Sequence, residues 1–148
     1  MRLKLVMEDS TEYVTGKKIT FPQDAEEIFK GMGLDSLDHE VFAVIGTDIR
    51  AGMIYAEIIS IGTDNASLID PSSVFRGAIL KGAKGLIIGH NHPSGDPTPS
   101  KEDLRVTRSL IDAGEILQIK VNDHIIIPHK RGAENIISLR ESGLVEFK

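Results

Sequence analysis

Residues Gly85 to Asp103 impose the strongest constraint on this chain. The apolar run Gly85-Leu86-Ile87-Ile88 continues into Gly89-His90-Asn91-His92, then Pro93-Ser94-Gly95-Asp96-Pro97-Thr98-Pro99, then Ser100-Lys101-Glu102-Asp103. A short apolar run of this kind reads as a central strand covered on both faces. Alternate side chains of a strand share a face, so His90 and His92 point the same way. The proline-rich loop is stiff, and Ser100-x-x-Asp103 has the spacing of a capping box at the start of a helix. Taken singly, each half has a plain explanation: a helix cap for Ser100 and Asp103, a satisfied core pair for the histidines. Together, two imidazoles on one face and a carboxylate returned by a rigid loop form three convergent ligands. His90, His92 and Asp103 are then the protein half of a catalytic zinc (Zn2+) site, with a fourth position left for water.

The flanking sequence supplies elements around this strand. Met1 to Gly16 alternates weakly and reads as an edge strand or strap. Thr20 to Glu27 opens a helix, with a proline in its first turn and Ile28, Phe29 and Met32 on its buried side. Glu40 to Gly46 and Met53 to Ile61 read as paired strands, with residues 62–69 a loop. Asp70-Pro71 announces a helix with an acidic N-cap and Gly82 at its end. Lys101 to Ala113 is the helix after the loop, stopped by Gly114. Leu117–Asn122 and His124–Pro128 read as two strands, Glu134–Arg140 as a short helix, and Gly143–Phe147 as a final strand. The expected fold class is α/β, a single mixed-sheet domain flanked by helices. Residues 1–20 are the strap and 21–148 the domain.

Composition narrows the function. At 148 residues the chain suits one domain with a core and is short for two. The absence of cysteine excludes a disulfide framework, a thiolate metal site and a cysteine nucleophile. Met1 to Asp9 has too short an apolar core for a signal peptide, and no run approaches a membrane span. A cytoplasmic protein with no membrane contact is the expectation. A net charge of −5 argues against a basic surface that coats nucleic acid. Lys101, Arg105 and Arg108 do share a helix face, but alternating with Glu102 and Asp103 they read as a solvated face.

His90-x-His92, seven residues, Ser100, two residues, Asp103 resembles the signature of the JAB1/MPN/Mov34 (JAMM) metalloenzymes. The whole string from His90 to Asp103 resembles the bacterial RadC branch. The likeness runs from about Phe21 to Gly143 and includes Ser60-Ile61-Gly62-Thr63, Pro71-x-x-Val74-Phe75-Arg76, Asp123 to Ile127, and Ser138 to Glu141. It implies the MPN/JAB, cytidine-deaminase-like architecture, with zinc held by His90, His92 and Asp103. It also implies Glu40 as general acid/base and Ser100 as a hydrogen-bond donor to the oxyanion. On physical grounds Glu40, at the mouth of a core strand, is suitably placed to take a proton from activated water. Ser100 serving as donor leaves Thr98 to cap the helix, with Pro99 at its first position. Two departures stand out: Asp70-Pro71-Ser72-Ser73 replaces the family's His-Pro-Arg-Glu, and the sequence contains no helix-hairpin-helix region.

The resemblance implies a zinc-dependent hydrolase that cleaves amide or isopeptide bonds, with a peptide or isopeptide substrate favoured over DNA. A metal-dependent nuclease connected with DNA repair is the first alternative, and a non-catalytic MPN scaffold the second. The intact ligand set stands against the scaffold. Two histidines and an aspartate also suit iron or manganese.

Overall fold

Strand β5 (Gly85–His92) lies at the middle of a five-stranded mixed sheet in the computed structural model, which describes residues 4–6, 12–14, 16–61 and 69–148. In chain order the described elements are β1 (Lys4–Val6), β2 (Glu12–Val14), α1 (Pro22–Gly31), β3 (Val41–Thr47), β4 (Met53–Ile61), α2 (Pro71–Lys81) and β5. After them come α3 (Lys101–Leu117), β6 (Lys120–Pro128), β7 (Ile137–Ser138) and α4 (Leu139–Ser142). The sheet order is β4-β3-β5-β6-β7. Among the described strands only β5 and β6 pair in parallel, joined by the crossover through α3. The α/β class with a mixed sheet and flanking helices is what the alternation of helical and strand patterns leads one to expect.

Strand alternation divides the core into two layers. Val41, Ala43 and Ile45 of β3, with Ile87, Ile125 and Ile127, face α1 and pack on Ala25, Ile28 and Phe29. Phe42 and Val44, with Leu86, Ile88 and Ile126, face the other way, onto Val74 and Phe75 of α2 and Val106 and Leu110 of α3. Each fully buried aliphatic side chain contributes roughly 1.5–3 kcal/mol to such layers. Within β5 this parity sends His90 to the α3 side along with Leu86 and Ile88, and Asn91 to the α1 side along with Ile87.

Four boundaries differ from the sequence expectation. Helix α3 runs through Gly114 to Leu117, because the glycine serves packing: a Cβ there would meet the Ile119 carbonyl oxygen at 2.4 Å. Gln118, at φ 60°, makes the left-handed cap instead. The two strands expected on either side of Asp123 are one strand, β6, with a bulge at Asn122: Leu86 pairs with Val121 and Ile87 with Asp123. The Asp123 carboxylate accepts hydrogen bonds from the His124 N–H (2.7 Å), the Ser138 hydroxyl (2.6 Å) and the Arg140 N–H (3.1 Å). It thereby ties β6 to β7 and α4. The short helix is Leu139–Ser142 rather than 134–140, and 143–147 forms no strand.

The strand expected between residues 1 and 16 appears as β1 paired antiparallel with β2, in a sheet of its own. The expected loop at 62–69 lies, except for Ile69, outside the described residues. No described helix is long and apolar enough to cross a membrane.

Candidate metal centre

The end of β5 carries the two histidines onto the α3 side of the sheet. His90 is fully buried and stacked on Phe42, its antiparallel partner in register, with ring centroids 4.2 Å apart and planes at 18°. His92 meets it edge-on at 4.7 Å. Beyond His92 the chain turns back at once. The Gly95 N–H donates to the His92 carbonyl at 3.0 Å, and Gly95 takes φ 90°, a conformation L residues rarely adopt. That turn carries the Asp96 carbonyl to 2.9 Å from His92 Nδ1. A ring nitrogen donating to a carbonyl leaves the other as a lone pair, so His92 Nε2 is the atom available to ligate an ion.

Asp103 is aimed at the histidines by the capping box itself. Ser100 is the N-cap of α3, and its hydroxyl oxygen accepts from the Asp103 N–H at 3.0 Å. Asp103 Oδ2 accepts in return from the Ser100 N–H at 2.9 Å, and the same oxygen lies 3.1 Å from His92 Nε2. Its other oxygen is 3.6 Å from His90 Nδ1. The cap that starts α3 is therefore also what sets the Asp103 carboxylate beside the two histidines. Thr98 does not take over capping; its hydroxyl donates to Asp96 Oδ1 within the loop. Nor does it need to, since a hydroxyl that accepts one hydrogen bond keeps its own proton to donate. Burial works against the charged form of Asp103. The His92 contact, the charge of His90 and the Ser100 N–H outweigh it and hold the carboxyl well below the usual carboxylate range. Burial likewise disfavours charged His92, but Asp103, the Asp96 carbonyl and Glu40 carry its pKa above the ordinary imidazole value.

Glu40 completes the cluster from the residue before β3. Its Oε1 lies 3.0 Å from His90 Nε2. Asn91 holds it there. On the α1 side of β5, the buried Asn91 amide accepts from the Val41 N–H at 2.6 Å and donates to the His39 carbonyl at 2.9 Å, bracketing Glu40. Sequence reasoning passed over Asn91 as the variable middle of His-x-His. The available signal was a buried-parity amide inside an otherwise apolar strand, since such a group must find partners.

Beneath the site, His124 is fully buried, with its ring 5.8 Å from that of His90. The Thr107 hydroxyl donates to the Asp103 carbonyl at 2.7 Å, so at 2.6 Å it accepts from His124 Nδ1. This fixes the His124 tautomer through a side chain. Burial pushes its pKa down to about 3, so the ring is neutral.

The donor set suits a divalent ion. Glu40, His90 and His92 each offer a ligating atom, all within 4.8 Å of one another, and Asp103 contacts both rings. His90 Nδ1 is buried with no hydrogen-bond partner among the described residues, an uncompensated cost in a polar cluster unless a cation draws the carboxylates in. Imidazole and carboxylate without thiolate fit zinc, iron or manganese. Of the cationic helix face, Arg105 is ion-paired with Glu102, and Arg108 lies toward Val145 and Lys148. Closer to the site, Arg131 Nη2 donates to the Pro93 carbonyl at 3.4 Å.

Comparison with known proteins gives the family. The model of the RadC-like JAB domain matches residues 19–144. A UPF0758 protein of Caldanaerobacter subterraneus subsp. tengcongensis is 44% identical over 130 residues, covering 88% of this chain and 54% of its own. A UPF0758 protein of Syntrophomonas wolfei is 42% identical, covering 86% and 54%, and one of Staphylococcus carnosus is 42% identical, covering 87% and 55%. The chain thus spans about half the length of the curated relatives it matches. A match over residues 19–144, the span of this chain that contains Glu40, His90, His92 and Asp103, means that this chain belongs to the RadC-like JAB domain family.

Proposed function

We propose that this chain is a metal-dependent hydrolase that cleaves an amide or isopeptide bond, with zinc as its ion. The observation that carries the reading is the convergence of two imidazoles and two carboxylates at the end of β5, with Asp103 fixed by its own helix cap. In this reading His90, His92 and Asp103 hold the ion, which supplies Lewis-acid polarisation of the carbonyl and a lowered pKa for water. Glu40 takes the proton of the attacking water and returns it to the departing amine. Ser100, whose hydroxyl proton is not used in the cap, donates to the developing oxyanion. Phe42, stacked on His90, and Asn91, bracketing Glu40, keep these groups in place.

The fold also supports a peptide as the substrate. Strand β4 is an edge of the sheet, and its last residues pair with Val41 and Phe42 beside Glu40. An extended peptide adding to that edge would run toward the cluster. Arg131, beside the loop after His92, supports a second reading in which a phosphodiester is held and cleaved at the same site.

The test is turnover of peptide, isopeptide-linked and single- and double-stranded DNA substrates by the metal-loaded chain. Cleavage of an amide substrate, abolished by chelation, is expected. Cleavage of DNA alone would transfer the site to the second reading.

A further inference from the structure

An open cleft of about 800 Å³ lies at the other end of the sheet from the histidines, along the first residues of β5 and β6. Its floor is apolar on the α1 side, formed by Ile19, Ile87 and Ile125. Two large apolar side chains stand at its rim in contact with solvent: Phe21, 64% exposed, and Ile49, 83% exposed.

Polar groups converge over Gly85. A Cβ on that residue would come within 2.7 Å of both Thr47 Oγ1 and Asn122 Nδ2, so glycine is what lets the hydroxyl and the amide approach the backbone this closely. The bulge in β6 is what presents Asn122 here. Thr47 is only 1% exposed and lines the cleft.

The charges at the rim divide into committed and free. Asp48 already accepts from the N–H groups of Arg50 and Gly52, and Asp123 from three donors. Lys84 and Lys120 sit side by side at adjacent strand starts, joined through the Lys120 N–H and the Lys84 carbonyl at 3.0 Å. Both are exposed, and neither ammonium has an ion-pair partner among the described residues. Arg140 spends one nitrogen on the Asn122 carbonyl and keeps the rest of its donors. Glu141 brings the remaining carboxylate of the lining. The uncommitted groups are therefore mostly donors, and a site of donors takes an oxygen-rich acceptor.

We propose that this cleft is a second ligand site, for a small molecule with an apolar body and one oxyanion group, a phosphate or a carboxylate. The apolar body rests on Ile19, Ile87 and Ile125 between Phe21 and Ile49. The oxyanion lies at Lys84 and Lys120, and the Thr47 hydroxyl and Asn122 amide fix the orientation. The proposal stands apart from hydrolysis at the histidines and does not depend on it.

The test is amide chemical-shift titration of the 15N-labelled chain with phenyl phosphate and, separately, benzoate. Inorganic phosphate and benzyl alcohol serve as controls that each carry one half of the ligand. Saturable shifts at Thr47, Gly85 and Asn122 are expected, with a response to one anion and not the other naming the group. Lys84→Ala/Lys120→Ala, at exposed positions that leave the fold intact, is expected to weaken binding at least about tenfold, and Thr47→Val about fivefold. Shifts centred on His90 and His92, no saturable shift at all, inorganic phosphate binding as tightly as phenyl phosphate, or an unchanged affinity in the double-lysine variant would overturn it.

Discussion

Glu40 Oε1 stands 3.0 Å from His90 Nε2 across fifty residues of sequence, although Glu40 itself precedes the first residue of β3. A carboxylate in that position can serve as a base or as a ligand, and the two roles separate on substitution. Glu40→Gln preserves shape and removes proton acceptance. Turnover on an identified substrate is expected to fall about 10²–10⁴-fold. Wild-type turnover in the variant would remove Glu40 from the chemistry.

Asn91→Ala tests whether the amide positions Glu40. The substitution leaves a buried N–H at Val41 and a buried carbonyl at His39 without their partner, a cost of about 1–3 kcal/mol seen in thermal unfolding. If the bracket places the carboxylate, kcat falls by up to about 10²-fold while metal content and KM change little. A loss of stability with kcat unchanged would reduce Asn91 to a structural role.

His92 is expected to make the metal-free and metal-loaded proteins respond oppositely to pH. His92 has a folded pKa raised above its unfolded value near 6.5. Without an ion, its proton therefore contributes stability that is complete below about pH 6.5 and lost as pH rises through the higher folded pKa. An ion must displace that proton, so the stabilisation it confers grows over the same interval. Melting curves with zinc and with chelator, taken across that interval, are expected to diverge as pH rises. Parallel curves would mean that His92 is not a ligand.

Asp123 gives a contrasting case away from the metal. Burial raises its carboxyl pKa against the pull of its three donors. A raised carboxylate pKa means that the folded state holds the proton longer, so this group's contribution falls as pH rises from below the unfolded value near 3.8 through the folded one. Asp123→Asn keeps an acceptor for the two backbone N–H groups and removes the ionisation. Its stability relative to wild type is expected to improve with rising pH across that interval, whereas Asp123→Ala is expected to cost about 1–3 kcal/mol throughout. Chemical denaturation at pH 3 to 7 measures both.

Much of the site is legible in the chain because local rules specify it. Strand parity aligns His90 with His92, and the Ser100-x-x-Asp103 spacing builds a cap whose acid then faces them. What the sequence hides is set by distant packing. Asn91 acts through the backbone of residues 39 and 41, which local pattern cannot place beside it. Gly114 looks like a helix stop, yet is required by the close passage of Ile119. Asp123 looks like a break between strands, and instead anchors β7 and α4 across a bulge. The cleft at Gly85 is hidden for the same reason, since Thr47, Lys84 and Asn122 meet only when three strands are paired.

The most direct test of the metal centre is elemental analysis of the purified wild-type, His92→Ala and Glu40→Gln proteins after loading with zinc and desalting. With His90, His92 and Asp103 as the ligands, the expected result is about one ion per chain in the wild type, a loss in His92→Ala and retention in Glu40→Gln. A full ion in His92→Ala, or none in the wild type, would contradict a metal centre at the end of β5, and loss of the ion in Glu40→Gln would make Glu40 a ligand rather than the base.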